Sequence, residues 1–532
     1  MEELPQKQNP EQLHTDEAPV QEPEYTLEEI MREFGTMEDF DRLLKEIHKR
    51  EMRLVLDLVV NHTSDEHPWF EEARKSRHNP YYNYYHWWPA EKGEPPLRLS
   101  YFDEEGNAWM YNKSTDSYYL HYFSRKQPDL NWENPEVRQE IFDMMRFWFD
   151  KGIDGFRMDS ISLIAKDPSF PLIDSKKYPD IFSFYAKEPR LHLYLHEMNR
   201  QGLSKYDCMS VGEGSAVMVD DVAKFVDPAR EELNMLYHFD AARIRNTTLP
   251  DNPESGIDYS LIALKKMFTE WDKAVDKGWP SIYLGNHDQP RMVSRFGSDK
   301  DEFRALSAKM LITFLLTMRG TPYWFAGDEI GMRNIRFDRI EDYNDIDTIN
   351  RYKKAKAEGK DPQAVLDEQK ETGRDNARTP FQWDRSPETG FTAGTPWLKV
   401  NPDYTWINVA DEEKDPTSIL NYFKKVVSFR KENPSLIYGS YHLLDAENPQ
   451  SYTFLRKTGA DTYLIMLNFS PKAAISTPGI DMSNAHVLLD NYGDRSHMAP
   501  QKDITLRPFE AIVFQLNHPV YESFIDSLDL LE

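Results

Sequence analysis

Short apolar runs alternating with amphipathic helical stretches constrain this chain more than any other feature. The segment Met52 to Val60 (MRLVLDLVV) is nearly apolar throughout and rich in β-branched residues. Such a run suits a strand covered on both faces, as in a parallel sheet. Ahead of it, Thr36 stands three residues before Asp39 in a capping-box pattern, and Phe40, Leu43, Leu44 and Ile47 follow at helical spacing. The alternation then recurs. Asn134-Pro135 opens a helix with a cap and an N1 proline, Val137, Ile141, Met144, Met145 and Trp148 line one face, and Gly152 stops it. A strand is expected at once over Ile153 to Met158. Further strands are expected at Cys208 to Glu213, Asn234 to Phe239, Ser281 to Asn286 and Pro322 to Gly327. This is the pattern of a parallel α/β fold.

Two long segments interrupt it. Residues 61–131 are rich in Trp, Tyr and His with short β-like pieces such as Tyr118 to Phe123, and residues 332–385 are charged and irregular. Insertions of that size form lobes around a site. From Gly439 the texture changes to short alternating runs: Tyr441 to Leu444, Tyr452 to Arg456, Tyr463 to Phe469 and Ala511 to Gln515. An antiparallel β-sandwich domain is expected over 439–532. Residues 1–29 carry Pro5, Pro10, Pro19 and Pro23 among many Glu and Gln. They bury too little apolar surface to offset ordering entropy and are expected to be disordered.

Charge narrows the function classes. The 90 acidic and 64 basic side chains leave a net −26. An acidic surface repels phosphate backbones and anionic bilayers, so nucleic-acid and membrane partners are disfavoured and a neutral small molecule fits. The single cysteine, Cys208, allows no internal disulfide and suits a reducing cytoplasm. The chain opens on a polar run without the apolar segment of a signal peptide, and its longest apolar stretch, near Met310 to Met318, is far short of the ~20 residues of a membrane helix. A cytoplasmic protein is expected; its oligomeric state is not set by these residues.

The polar signals fall at the C-terminal ends of the expected strands, the edge that carries the active site in parallel α/β barrels. The first strand ends on Asp57, Asn61 and His62. The second is Gly155-Phe156-Arg157-Met158-Asp159, in which Arg157 and Asp159 share a face and can pair. The third ends on Glu213, which burial could keep protonated as a general acid requires. The fourth is Gly285-Asn286-His287-Asp288-Gln289. Each is common alone. Together they bring three carboxylates, two histidines and an arginine to one pocket, the set that glycoside cleavage needs. A magnesium or calcium site at Asp159, Glu213 and Asp288 is the competing reading, opposed by the cationic Arg157 and by the lack of zinc-type ligand spacing. The aromatics of 61–131 suit stacking on sugar rings, but an ordinary lobe core accounts better for most of them.

Asp57-Leu-Val-Val-Asn61-His62, Gly155-Phe-Arg157-Met-Asp159, Gly212-Glu213 and Asn286-His287-Asp288 resemble the four signature regions of the α-amylase superfamily, glycoside hydrolase family 13. Gln127-Pro128-Asp129-Leu130-Asn131 resembles its fifth region. Arg374-Asp375-Asn376-Ala377-Arg378-Thr379-Pro380 resembles a segment of oligo-1,6-glucosidases, α-glucosidases, dextran glucosidases and sucrose isomerases. The resemblance runs from about Ile30 to the C-terminus. It implies a TIM-type (β/α)8 barrel over 30–60 and 132–438, a lobe over 61–131 and the C-terminal β domain. It implies a retaining hydrolase of small α-glucosides with Asp159 as nucleophile, Glu213 as acid and then base, and Asp288 as stabiliser. His62 and His287 would bond the terminal glucose, Arg157 would orient Asp159, and Asp57, Gln127, Arg374 and Arg378 would line the pocket. No metal or cofactor is implied. Two alternatives use the same residues: an inactive sugar-binding relative, and a transglycosylase or sucrose isomerase.

The residue after the nucleophile is often valine in α-1,6 enzymes of this family and threonine or alanine in α-1,4 enzymes; Ser160 matches neither. The arginine-aspartate-arginine clamp pattern of sucrose isomerases is not found. Nor are the two strands that open the family's barrel, with a calcium loop after the first and a substrate-gripping Asp after the second, near where Pro23 falls. Six of eight barrel strands are identifiable. The open edge at Met52 to Val60 is expected to expose apolar surface.

Overall fold

The computed structural model describes residues 35–102, 106–174, 176–177, 181–459, 461–496 and 502–516. The expected disordered stretch 1–29 lies outside them. The helix Met37–Lys49 starts at Thr36, whose hydroxyl accepts from Asp39 N–H while its own N–H donates to the Asp39 carboxylate at 2.9 Å. Phe40 meets Trp148 edge-on at 5.1 Å, docking this helix on the helix Pro135–Lys151. The latter is capped by Asn134 and ended by Gly152, which adopts φ 104°, a conformation open to glycine at no steric cost.

Strand β1 is Val55–Val59. In the insertion that follows, β2 (Trp87–Pro89), β3 (Trp109–Asn112) and β4 (Ser117–Leu120) form an antiparallel sheet in the order β2-β4-β3. The barrel resumes with β5 (Gly155–Asp159), β6 (Met209–Glu213) and β7 (Met235–Tyr237), which join β1 in a parallel sheet of order β1-β5-β6-β7. The parallel pair β8 (Ser281–Ile282) and β9 (Thr321–Pro322) continues the wall, and Ser281 Oγ donates to Leu236 O at 2.7 Å. Gly155 permits the tight β5–β6 approach, since a Cβ there would stand 2.2 Å from Met209 O. Among the described residues, no strand pairs with the other edge of β1.

Strand parity separates inside from outside. Val211, Met235, Tyr237 and Tyr283 pack with one another inside the barrel. The alternate residues Leu58, Phe156, Met158, Leu236 and Ile282 face outward into the main core. The helices Leu261–Ala274 and Arg304–Thr317 supply much of that core, and the second is apolar nearly all round because it is covered on both sides.

The strands β10 (Ser440–Leu444), β11 (Ser451–Thr458), β12 (Asp461–Asn468), β13 (Ala474–Ser476), β14 (Ala485–Asp490), β15 (Ile504–Leu506) and β16 (Ala511–Leu516) follow. Five make an antiparallel sheet of order β10-β11-β12-β16-β14, and β13 pairs with β15. One face of the five-stranded sheet, with Tyr452, Phe454, Ile465 and Val513, joins the barrel core; the other, with Leu455, Leu464, Met466 and Ile512, packs on Ile504 and Leu506. The buried Lys265 ammonium crosses the junction, donating to the carbonyls of Asp445, Asn448 and Ser451 at 3.0, 2.8 and 3.2 Å.

Several expectations need correction. Residues 332–385 are not irregular throughout: Asp345 and Asp361 cap the helices Ile346–Ala357 and Pro362–Thr372. The strands expected at Ser281 to Asn286 and Pro322 to Gly327 reduce to two paired residues each, because the chain leaves the ladder early to form the loops of the site and Pro322 has no N–H to give. Strands β2, β3, β13, β14 and β15 were not anticipated; their sequences are too short or too uniformly aromatic for a period of two to show.

Candidate active site

One guanidinium gathers three of the carboxylates, those of Asp57, Asp159 and Glu213. Arg157 lies in the middle of β5, in register with Asp57 of β1 and Val211 of β6. Its side chain points into the barrel, where Nη1 donates to Asp159 Oδ1 at 2.7 Å and to Asp57 Oδ1 at 2.8 Å, while Nη2 donates to Glu213 Oε2 at 2.6 Å. Nε donates to the Tyr237 hydroxyl at 3.0 Å. Burial opposes its charge, but Glu213, Tyr237, Asp57 and Asp159 outweigh burial and keep Arg157 cationic.

Asp159 and Glu213 are therefore bridged by one cation but sit in different surroundings. The Glu213 carboxyl is buried, 8% exposed, against 22% for Asp159. Its pKa is raised well above the ordinary 4.5, first by burial and then by the Asp159 charge, against the pull of Arg157 and of the Ser160 N–H. Asp288 adds to the rise, which places its charge in the same enclosure. The Ser160 N–H reaches Glu213 Oε2 at 3.1 Å because Ser160 turns into the left-handed region, φ 44°, at the end of β5. Ser215 Oγ donates to Glu213 Oε1 at 3.3 Å.

Asp288 is held from the other side. Arg378 Nη2 donates to its Oδ1 at 2.9 Å and Arg374 Nη1 at 3.3 Å, while His287 Nε2 lies 3.2 Å from Oδ2. Arg378 Nε also bonds His287 O. Arg374 is anchored by the Asp345 carboxylate (Nε to Oδ1, 2.8 Å) and lies 4.7 Å over the Phe102 ring.

His62 follows β1 on the third side. Its Nε2 faces the Gln127 amide at 3.0 Å, its ring lies 5.1 Å from that of Phe123, and burial keeps it neutral below its ordinary 6.5. A cavity of about 850 Å³ opens beside His62 and Gln127 along the β1 edge, lined by Val59, Leu130, Met144 and Phe147. None of the three carboxylates lines it.

The ten residues singled out in the sequence thus lie in three linked groups: Asp57, Arg157, Asp159 and Glu213; His287, Asp288, Arg374 and Arg378; and His62 with Gln127. Asp57 is more than half exposed and meets Arg157. Tyr237, Asp345 and Phe102 were missed, as was the contact of the Ser160 N–H with Glu213. Tyr237 was legible by parity, two residues after Met235 on a strand whose neighbour ends in Glu213. Asp345 lies in a lobe with no sequence tie to the barrel. The arrangement offers a carboxylate on a guanidinium beside a buried carboxyl whose pKa is raised, with a third carboxylate opposite, which can support acid-assisted covalent displacement at an acetal carbon.

A sequence model of the α-amylase catalytic domain matches residues 20–439. The chain is 49% identical over 502 residues to the oligo-1,6-glucosidase of Parageobacillus thermoglucosidasius, covering 92% of this chain and 88% of that protein. It is 46% identical over 497 residues to the oligo-1,6-glucosidase of Bacillus cereus, covering 92% and 87%. The structure superposes on trehalulose synthase MutB from Pseudomonas mesoacidophila MX-45 with a TM-score of 0.85 at 40% identity, over 91% of this chain and 87% of that one. The chain belongs to the α-amylase family and carries its (β/α)8 barrel with a C-terminal antiparallel β domain.

Proposed function

We propose that this protein is an α-glucosidase that removes glucose from short α-glucosides by retaining double displacement, with α-1,6 links preferred as the names of its relatives indicate. The observation that carries the reading is the pair Asp159 and Glu213 on one guanidinium with unequal burial. Asp159 attacks the anomeric carbon and expels the aglycone. Glu213, kept protonated by burial, gives its proton to the leaving oxygen, then takes one from the water that releases the glucosyl-enzyme. Asp288, clamped by Arg374 and Arg378, meets sugar hydroxyls and stabilises positive charge on the ring. His62 and His287 bond the same sugar.

Among the described residues, no helix is long and apolar enough to cross a membrane. The half-buried, unpaired Cys208 fits a reducing compartment such as the cytoplasm.

The test is hydrolysis of p-nitrophenyl α-glucoside and isomaltose beside Asp159→Asn. Release of glucose by the parent and its loss in the variant are expected. A cooperatively folded parent without turnover would point to a sugar-binding relative. A rearranged disaccharide formed from sucrose would point to the isomerase chemistry named for its structural neighbours.

A further inference from the structure

Behind His62 lies a buried network that none of the site chemistry above uses. Lys166, 1% exposed, sits between the barrel and the lobe. Its ammonium donates to Asn61 Oδ1 at 2.5 Å and pairs with the wholly buried Asp129 carboxylate at 3.1 Å. Asn61 is itself fully buried. Its amide nitrogen faces His62 Nδ1 at 3.2 Å and Asp129 Oδ1 at 3.4 Å.

The orientation of Asn61 follows from its neighbours. An ammonium only donates, so it needs the amide oxygen; a carboxylate only accepts, so it needs the amide nitrogen. Turning the amide over would set NH2 against the ammonium and oxygen against the carboxylate, both repulsive. Asn61 therefore donates to His62 Nδ1. A neutral imidazole has one donor and one acceptor nitrogen, so an accepting Nδ1 puts the proton on Nε2.

The Gln127 amide nitrogen also faces the ring, at Nε2, while its oxygen accepts from Ser124 N–H at 3.1 Å. Both amides cannot donate to one neutral ring. Gln127 is only partly buried, whereas Asn61 is fully buried and locked by two charges. Gln127 is the one that yields, by turning its oxygen to Nε2–H or by giving way to a sugar hydroxyl.

We infer that Lys166, with Asp129 and through Asn61, is a positioning group that fixes His62 in the Nε2–H tautomer, so that the ring donates a hydrogen bond to an acceptor oxygen of the bound glucose. This rests on the proposed α-glucosidase reading for its ligand, but not for its proton assignment. The charged pair orders the amide, the amide orders the ring, and neither Lys166 nor Asn61 touches sugar.

The test uses the full-length protein with 15N-labelled histidine. Nitrogen NMR of His62, assigned by loss of its signals in His62→Gln, is expected to show a protonated Nε2 and a bare Nδ1. Asn61→Asp keeps a partner for Lys166 but offers Nδ1 a carboxylate acceptor, so its spectrum is expected to move to a protonated Nδ1. Its KM for p-nitrophenyl α-glucoside is expected to rise about tenfold, the scale of one hydrogen bond, with a smaller effect on kcat. The paired Lys166→Met/Asp129→Asn variant leaves no lone buried charge and frees Asn61; a mixture of tautomers and a smaller KM rise are expected.

A wild-type spectrum with Nδ1 protonated would overturn the assignment. A folded Asn61→Asp protein with protonated Nδ1 and unchanged KM would overturn its role in binding. If the wild type hydrolyses no α-glucoside, the functional reading fails, while the spectra still decide the tautomer.

Discussion

Arg157 Nη2 lies 2.6 Å from Glu213 Oε2 while its Nη1 lies 2.7 Å from Asp159 Oδ1, so a single planar group sets the spacing of the two carboxyls. A lysine would supply the charge but only one point of contact. Arg157→Lys is expected to fold and to lose roughly a hundredfold in kcat/KM, the scale of one misplaced stabilising contact. Steady-state kinetics beside circular dichroism checks this; a loss below about threefold would detach Arg157 from the positioning of the pair.

The raised pKa of Glu213 makes two pH predictions. Acid catalysis needs the protonated form, so turnover of isomaltose should hold up well above pH 4.5 and fall as pH rises through the raised value. Glu213→Gln should lower that turnover by roughly a thousandfold. The second concerns stability. Between the ordinary and the raised pKa the folded protein binds more protons at Glu213 than the unfolded chain, so this residue makes stability fall as pH climbs through that window. Glu213→Gln should remove the slope, and thermal melts of both proteins across the window would show the curves diverging toward high pH. Parallel curves would mean that Glu213 ionises in the folded state as readily as in water.

Asp345 has two separate tasks: it caps the helix Ile346–Ala357 through Thr348 N–H and anchors Arg374. Asp345→Ser keeps a capping oxygen but is too short to reach Arg374. Stability should change little. The grip of Arg374 on Asp288 should slacken, and kcat/KM should drop by about tenfold. An unchanged kcat/KM would leave Arg378 as the sufficient partner of Asp288.

Lys265 tests the junction between barrel and β domain. Lys265→Met leaves the carbonyls of Asp445, Asn448 and Ser451 without that donor, at a cost of about 3 kcal/mol. The melting midpoint should fall by a few degrees while kcat of the folded enzyme stays the same. A fall in kcat at full folding would tie the β domain to the site.

The sequence by itself determined the parallel barrel class, the C-terminal β domain and which polar residues end the barrel strands, because each rests on local chemistry. A buried parallel strand must be apolar, as Val55–Val59 is. Inward residues must recur every second position, as Arg157 and Asp159 do, and Asp159 and Glu213 end their strands. Only the tertiary structure decided which partner each charge has. That Arg157 serves Asp159 and Glu213 together, that Asp345 holds Arg374, and that Lys166 fixes Asn61 behind His62 are contacts between residues 29 to 105 positions apart, Arg157 and Asp159 excepted. Such pairings follow from the register of neighbouring strands and the docking of the lobes, which bring distant charges within hydrogen-bond reach and exclude the water that would otherwise equalise Asp159 and Glu213.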